Sequence, residues 1–246
     1  MVSLVLDIGN TAAKFGCFRG SAVEEVGTVA SVEEWKQVVV RVKAEQVLLA
    51  SVAGPAEAWA EDLPASVTKT TVFRPGHTPV PVQNAYATPE TLGADRLAAA
   101  VGAAYLLPAR NLLVLDAGTC LKYDLVTEEG TYQGGSIAPG LQMRLRAMHA
   151  FTDRLPELVL PGSEATTALP LTGTDTRSAM LSGALNGAAA ELNSIVDEYR
   201  AQFPSLAVAL TGGDAAFFES RLKGRTFVFP ELVLLGLHRI LVHNAG

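Results

Sequence analysis

Two stretches of this chain repeat one another. Leu4-Val5-Leu6-Asp7-Ile8-Gly9-Asn10-Thr11 is an apolar run that ends in Asp-x-Gly and Thr, followed by a β-prone segment from Ala12 to Phe18. Leu113-Val114-Leu115-Asp116-Ala117-Gly118-Thr119 does the same, with Leu121 to Val126 after it. A single Asp-x-Gly-x-Thr is an ordinary hairpin turn. Two copies in matching strand contexts, roughly one domain length apart, point instead to a duplicated strand-turn-strand.

The composition of that unit suits phosphate. A buried strand carries one carboxylate to its end, Gly permits a sharp turn, and the Thr hydroxyl and turn amides face outward. Phosphate oxygens accept from such donors, and the Asp suits a cation that accompanies them.

Composition then excludes several classes. With 49% apolar and 18% charged residues in 246, the chain has enough core for one large or two small domains. A net charge of -6, with no cluster of Lys and Arg, argues against a nucleic-acid partner. No basic leader precedes the first apolar segment, and no apolar run approaches the roughly 18 residues of a membrane span, so a cytoplasmic protein without a membrane partner is expected. Cys17 and Cys120 occupy corresponding places in the two repeats and read as packing residues, with Cys120 also a candidate site-lining residue. His238 and His243 are five apart, a spacing that does not stack them for a metal.

Between and beyond the repeats the pattern alternates. Glu24 to Ala30 reads as a third meander strand, Ser31 to Lys43 as a helix capped by Ser31, and Gln46 to Val52 as a buried strand. A helix opened by Gly54 and Pro55 and a strand from Val67 to Phe73 follow, describing a mixed sheet flanked by helices. Residues Arg74 to Pro89 hold four prolines and read as an irregular connection. It leads through Tyr86 and Gly93-Ala94-Asp95-Arg96 to an Ala-rich helix over Leu97 to Leu107. Asp95 near a helix N-terminus complements the dipole, whereas a cation there is disfavoured, so Arg96 needs a partner elsewhere.

The second half repeats the order. Strands are predicted at Asn111 to Asp116, Leu121 to Thr127 and Thr131 to Ile137, then Gly134-Gly135-Ser136-Ile137-Ala138-Pro139-Gly140 leads into a helix from Leu141. A Pro-rich passage from Leu155 to Pro170 precedes Thr172-Gly173-Thr174-Asp175-Thr176, with Thr176 expected as N-cap of a long helix over Arg177 to Gln202. Leu206 to Thr211 closes in Gly212-Gly213-Asp214, a turn suited to a flat ring or a phosphate, or simply a tight turn. A strand at Phe227 to Phe229 and a helix from Pro230 to His243 end the chain.

These residues together resemble the actin, hexokinase and heat-shock chaperone superfamily. The implied fold is α/β, with duplicated RNase H-like (actin-like ATPase) domains at 1–108 and 109–246, each a five-stranded mixed sheet with flanking helices. More narrowly, the turns at Asp7 to Thr11 and Asp116 to Thr119, Gly93 to Arg96, Gly134 to Gly140 and Thr211-Gly212-Gly213 resemble type III pantothenate kinases along the whole chain, in the family's order. The resemblance implies phosphorylation of pantothenate by ATP with Mg2+, the first step towards coenzyme A. It also implies a cytoplasmic homodimer that needs K+ or NH4+.

Residue by residue, the resemblance makes Asp7, Ile8, Gly9, Asn10, Thr11, Ala12, Ala13 and Lys14 the first phosphate-binding loop, Thr119 the second, and Asp116 the ligand of the monovalent cation. Asp95 becomes the base for the substrate hydroxyl. Tyr86, Gly93, Ala94 and Arg96 hold pantothenate, and Thr176 contacts it from the other domain. Phosphoryl transfer needs mainly positioning and charge neutralisation, which a site between two such halves supplies.

Three departures stand out. Cys120-Leu121-Lys122 replaces small and hydroxyl residues, so the Lys122 ammonium either reaches the cation site or sits solvated on its strand. Asp175 replaces an Asn, and Ala87-Thr88 replaces a polar pair after Tyr86. Two other functions keep the same turns: a nucleotide-binding regulatory factor that transfers no phosphate, and a sugar or acetate kinase, although those chains are usually longer. Asp95 and Arg96 favour the kinase, because a pure sensor has no use for a hydroxyl-activating carboxylate.

Overall fold

A computed structural model describes residues 1–161 and 169–245. The Pro-rich passage from Leu155 to Pro170 therefore lies partly outside the described residues. The chain divides into two compact units, Met1–Ala109 with Val126–Gly134 and Glu231–Gly246, and Arg110–Leu125 with Gly135–Pro230.

In the first unit, β1 (Val2–Ile8), β2 (Ala13–Arg19) and β3 (Ala22–Val29) form an antiparallel meander, and β4 (Gln46–Ser51) and β5 (Lys69–Val72) add in parallel. The sheet order is β3-β2-β1-β4-β5. Both faces of β1 are covered, which is why it reads as an unbroken apolar run rather than an alternation. Leu4, Leu6, Phe15, Cys17 and Leu49 pack with Trp35 and Val39 of α1 (Val32–Val42). Ser31 caps that helix as expected, accepting from the Glu34 amide at 3.2 Å. The short helix α2 (Glu57–Ala60) completes this side, and its Trp59 carbonyl accepts from the Trp35 indole at 3.0 Å.

Val5, Phe18 and Leu48 are equally buried, and α8 (Leu232–His243) packs beside them. Phe18 stacks on His238 with ring centroids 4.0 Å apart. The helix α3 (Ala94–Leu106) crosses α8 where glycines meet: a Cβ on Gly102 would lie 2.5 Å from the Leu232 carbonyl oxygen, and one on Gly236 would overlap the Ala98 carbonyl. Backbone contact this close joins α8 to the first unit.

The second sheet is built from β7 (Leu112–Ala117), β8 (Cys120–Val126), β9 (Thr131–Pro139), β10 (Ala207–Thr211) and β11 (Thr226–Val228), in the order β11-β10-β7-β8-β9. Read as third, second, first, fourth, fifth, both sheets share one strand order, with the fourth and fifth strands parallel to the first. That is the duplicated α/β fold its repeated hairpins predict. The second sheet gains a sixth strand, β6 (Gln83–Asn84), paired to the start of β9. Two residues are too few to show period-2 patterning, so the segment reads as irregular from sequence.

Leu113, Leu115, Leu121 and Leu210 pack against Leu145 of α4 (Leu141–Ala150) and against a long helical run. That run is α5 (Thr176–Leu181), one π-helical turn over Ser182–Asn186, and α6 (Gly187–Gln202). The short helix α7 (Ala215–Glu219) follows β10.

Candidate functional site

The first hairpin turns where Gly9 donates its amide to the Ala12 carbonyl at 3.1 Å. In this register Ile8 faces Ala13 and Asp7 faces Lys14. Asp7 is half-buried at the end of its strand, while Asn10, Thr11 and Lys14 are exposed. A strand end thus carries a carboxylate beside hydroxyl and amide groups in solvent reach, a set of hard oxygen donors that suits magnesium on a polyphosphate.

The second hairpin turns at Gly118, whose amide donates to the Cys120 carbonyl at 3.1 Å. Two residues back along each strand from this bond stand Asp116 and Lys122, just as Asp7 and Lys14 stand two residues back in the first. Here the two side chains meet. Lys122 Nζ lies 2.6 Å from Asp116 Oδ2, and the two side chains are only 14% and 15% exposed. The solvated reading of Lys122 is therefore not the one the fold adopts. Asp116, to which the resemblance gives a potassium or ammonium ion, already carries a cation of the protein's own.

Backbone from two other elements supports this turn. Gly140, ahead of α4, donates its amide to the Thr119 carbonyl at 3.2 Å, and a Cβ there would run into the Gly118 and Thr119 carbonyls. Gly212 sits at φ +98, where a Cβ would lie 2.3 Å from the Ala117 carbonyl oxygen, and the Asp214 amide donates to that carbonyl at 2.8 Å. Only glycine meets both demands at 212, left-handed backbone and close approach. Burial raises the Asp214 carboxyl above the usual carboxylate range. Thr119 itself is exposed.

The candidate acceptor residues lie in the first unit. Gly93 is the N-cap residue of α3, Ala94 its first residue, and Asp95 and Arg96 belong to its first turn, three residues earlier than the sequence pattern predicts. Asp95 Oδ1 accepts the Arg96 amide at 2.8 Å. Arg96 is 5% exposed, and its guanidinium lies 5.7 Å from the Tyr86 ring centroid, so an aromatic face is among the groups that recruit it to an unfavourable helix end. Tyr86 is fixed in turn: its amide donates to Asn84 Oδ1 at 3.0 Å, and its ring lies 6.2 Å from that of the fully buried Tyr132. Gly134 of β9 leaves room for that ring, since a Cβ there would lie 2.9 Å from it.

Thr176 needs a correction. It is the exposed first residue of α5, and the N-cap is Asp175. Asp175 Oδ1 accepts the Ser178 amide at 2.9 Å, and Ser178 Oγ accepts the Asp175 amide at 3.1 Å, a complete capping box. Asp is the stronger cap of the two, and the Ser178 amide and hydroxyl hold its carboxyl below the usual range. The Thr176 hydroxyl has no capping role in this arrangement.

Asn84 and Tyr132 are absent from the sequence-based reading of the site, which names Asp214 only as the end of a Gly-Gly turn. Tyr132 emerges only from the β6–β9 pairing, whereas the Asn84 contact is local, its side-chain oxygen accepting the amide two residues on. Among the described residues, no three His, Cys, Asp or Glu side chains converge as metal ligands, and no helix is long and apolar enough to cross a membrane.

Comparison with known proteins agrees with this architecture. Among solved structures, a protein from Campylobacter jejuni described as a Baf family transcriptional activator covers 98% of each chain at a TM-score of 0.63 and 18% identity. A ROK family glucokinase from Streptomyces griseus covers 99% of this chain and 100% of its own at 0.56 and 10% identity. At such identities these likenesses speak for the fold, an actin-like ATPase fold. Sequence relatives are nearer: the type III pantothenate kinase of Cytophaga hutchinsonii is 40% identical over 244 residues, 99% of this chain and 100% of the relative. That of Bacteroides fragilis is 40% identical over 250 residues, 100% of this chain and 99% of the relative. The family profile described as type III pantothenate kinase matches residues 3–198. The relatives align along nearly the whole chain, and the chain belongs to the type III pantothenate kinase family.

Proposed function

We propose that this chain transfers the γ-phosphoryl group of ATP to the primary hydroxyl of pantothenate, giving 4'-phosphopantothenate in the first step of coenzyme A synthesis. The observation that carries this reading is the first turn of α3, where Asp95 stands next to Arg96 beneath the Tyr86 ring in a chain of this family. The acceptor is an alcohol bearing a carboxylate. A carboxylate suits a guanidinium fork, and an alcohol suits a carboxylate base at hydrogen-bond range.

In this reading Asp95 takes the hydroxyl proton as the oxygen attacks phosphorus. Arg96, Tyr86, Gly93 and Ala94 orient pantothenate, and Thr176 is assigned a contact with the same substrate. The segment Asp7 to Lys14 and the turn at Thr119 hold ATP phosphates through amides and hydroxyls. When bound, Mg2+ neutralises charge on those phosphates, with Asp7 the oxygen donor at hand. No step is assigned to a free potassium or ammonium ion at Asp116, because Lys122 already supplies that charge. The duplicated halves, 1–108 and 109–246, are taken as the ancestral domains, and a homodimer in the cytoplasm as the working form.

A coupled assay of ADP release with and without pantothenate tests the assignment. Pantothenate-dependent turnover is expected, and Asp95→Asn should lower kcat by about 10^3-fold while changing ADP affinity less than about threefold. Nucleotide binding with no transfer to pantothenate would favour the regulatory reading, and near-normal turnover of the variant would remove Asp95 from the base role.

A further inference from the structure

A carboxylate that ends a strand beside a phosphate-binding turn is an electrostatic liability, because it repels the polyanion the turn is built to receive. Some cation has to sit on it. In the second hairpin the register that places Asp116 also delivers a lysine from the neighbouring strand. The Lys122 ammonium reaches Asp116 Oδ2 at 2.6 Å, with both side chains largely withdrawn from water. An exposed pair of this kind would be a minor surface contact. Here both charges are largely withdrawn from water and compensated within the protein, so removing Lys122 takes the counter-charge from a largely buried Asp116 carboxylate. The lysine head group is an alkylammonium, the same chemistry as the ammonium ion, tethered instead of recruited from solution.

We propose that Lys122 is the built-in monovalent cation of this enzyme, so that nucleotide binding and phosphoryl transfer need neither potassium nor ammonium. This rests on the pantothenate kinase reading for the reaction, but not for the nucleotide-binding part. The test uses the full-length chain in choline chloride and in KCl at equal ionic strength, with ADP affinity by calorimetry and pantothenate phosphorylation as readouts. Both should agree within twofold between the salts. A tenfold or larger weakening of ADP binding in choline chloride, or turnover confined to KCl, overturns the proposal. Turnover absent from both salts refutes the kinase reading, while the ADP comparison still judges Lys122; ADP binding absent from both overturns the two together.

A variant supplies the converse. Lys122→Met should bind ADP at least tenfold more weakly than wild type in choline chloride, with ammonium chloride restoring most of the loss. A folded Lys122→Met that binds ADP like wild type in choline chloride, or that is indifferent to the salt, overturns the proposal. Should that variant fail to fold, the wild-type comparison decides alone.

Discussion

The two hairpins share a frame and differ in charge. Each closes with a Gly amide on a carbonyl across the turn, and each places an Asp and a Lys two residues back from that bond. In the first, Lys14 is exposed to solvent; in the second, Lys122 is drawn onto Asp116 and largely buried. The supports differ as well, since the second turn is braced by the backbones of Gly140 and Gly212. Backbone hydrogen bonding reproduces a turn after duplication, but the solvation of its charged residues is free to diverge, and with it the task each turn performs.

The largest break in the comparison should come from Gly212→Ala. Its new methyl would enter the Ala117 backbone from a positive-φ position, combining steric overlap with backbone strain. A loss of about 4 kcal/mol in urea unfolding is expected, with the first hairpin untouched. A loss under about 1 kcal/mol would mean that the second turn is not braced this way.

Next in size is the charge pair itself. Asp116→Ala breaks the largely buried pair with Lys122 and should cost about 3 kcal/mol, whereas Lys14→Ala, at an exposed position, should stay within about 0.5 kcal/mol. A cycle of Asp116→Asn and Lys122→Met, read by urea unfolding, sharpens the point: additive losses would show that the pair has no coupling.

The units also differ in their response to acid. In the first, His238 is 1% exposed, stacked on Phe18, and neither ring nitrogen has a hydrogen-bond partner among the described residues. Burial, with Arg239 adding to it, holds its pKa down to about 4 from 6.5. Because the unfolded chain binds that proton first, stability is lost as pH falls below 6.5, by about 2 kcal/mol at pH 5. Asp214 in the second unit has the opposite sign: its raised carboxyl favours the folded state at low pH, an advantage lost as pH rises through its folded value. Unfolding of wild type and His238→Phe from pH 7 to 5 should give a sloping and a flattened profile; parallel profiles would exonerate His238.

How much of this was legible in the sequence depends on what each feature needs to become visible. The hairpins, the Ser31 cap and the order of strands and helices along the chain follow from local patterns, since an apolar run, a turn residue and a cap each act within a few residues. Strand β6 is two residues long and is defined only by its partner in β9, so Tyr132 could not be connected with Tyr86. The packing of α8 on α3 rests on two glycines far apart in sequence, Gly102 and Gly236, which look like ordinary helix interruptions until the backbones meet. For Lys122, sequence allowed two fates and register alone chose between them.

The smallest effect bears on the second unit's helix start, where two adjacent residues with similar capping chemistry do different work. Asp175 caps α5 through both its carboxylate and its amide, while the Thr176 hydroxyl faces solvent. Asp175→Ala should therefore cost about 1 kcal/mol in unfolding free energy, and Thr176→Ala a few tenths at most. Activity should rank them the other way, because Thr176 is the residue assigned to substrate: its alanine variant should raise KM for pantothenate several-fold at nearly unchanged stability. If Thr176→Ala leaves KM unaltered, its hydroxyl has no share in binding, and the helix start serves only to satisfy its own backbone amides.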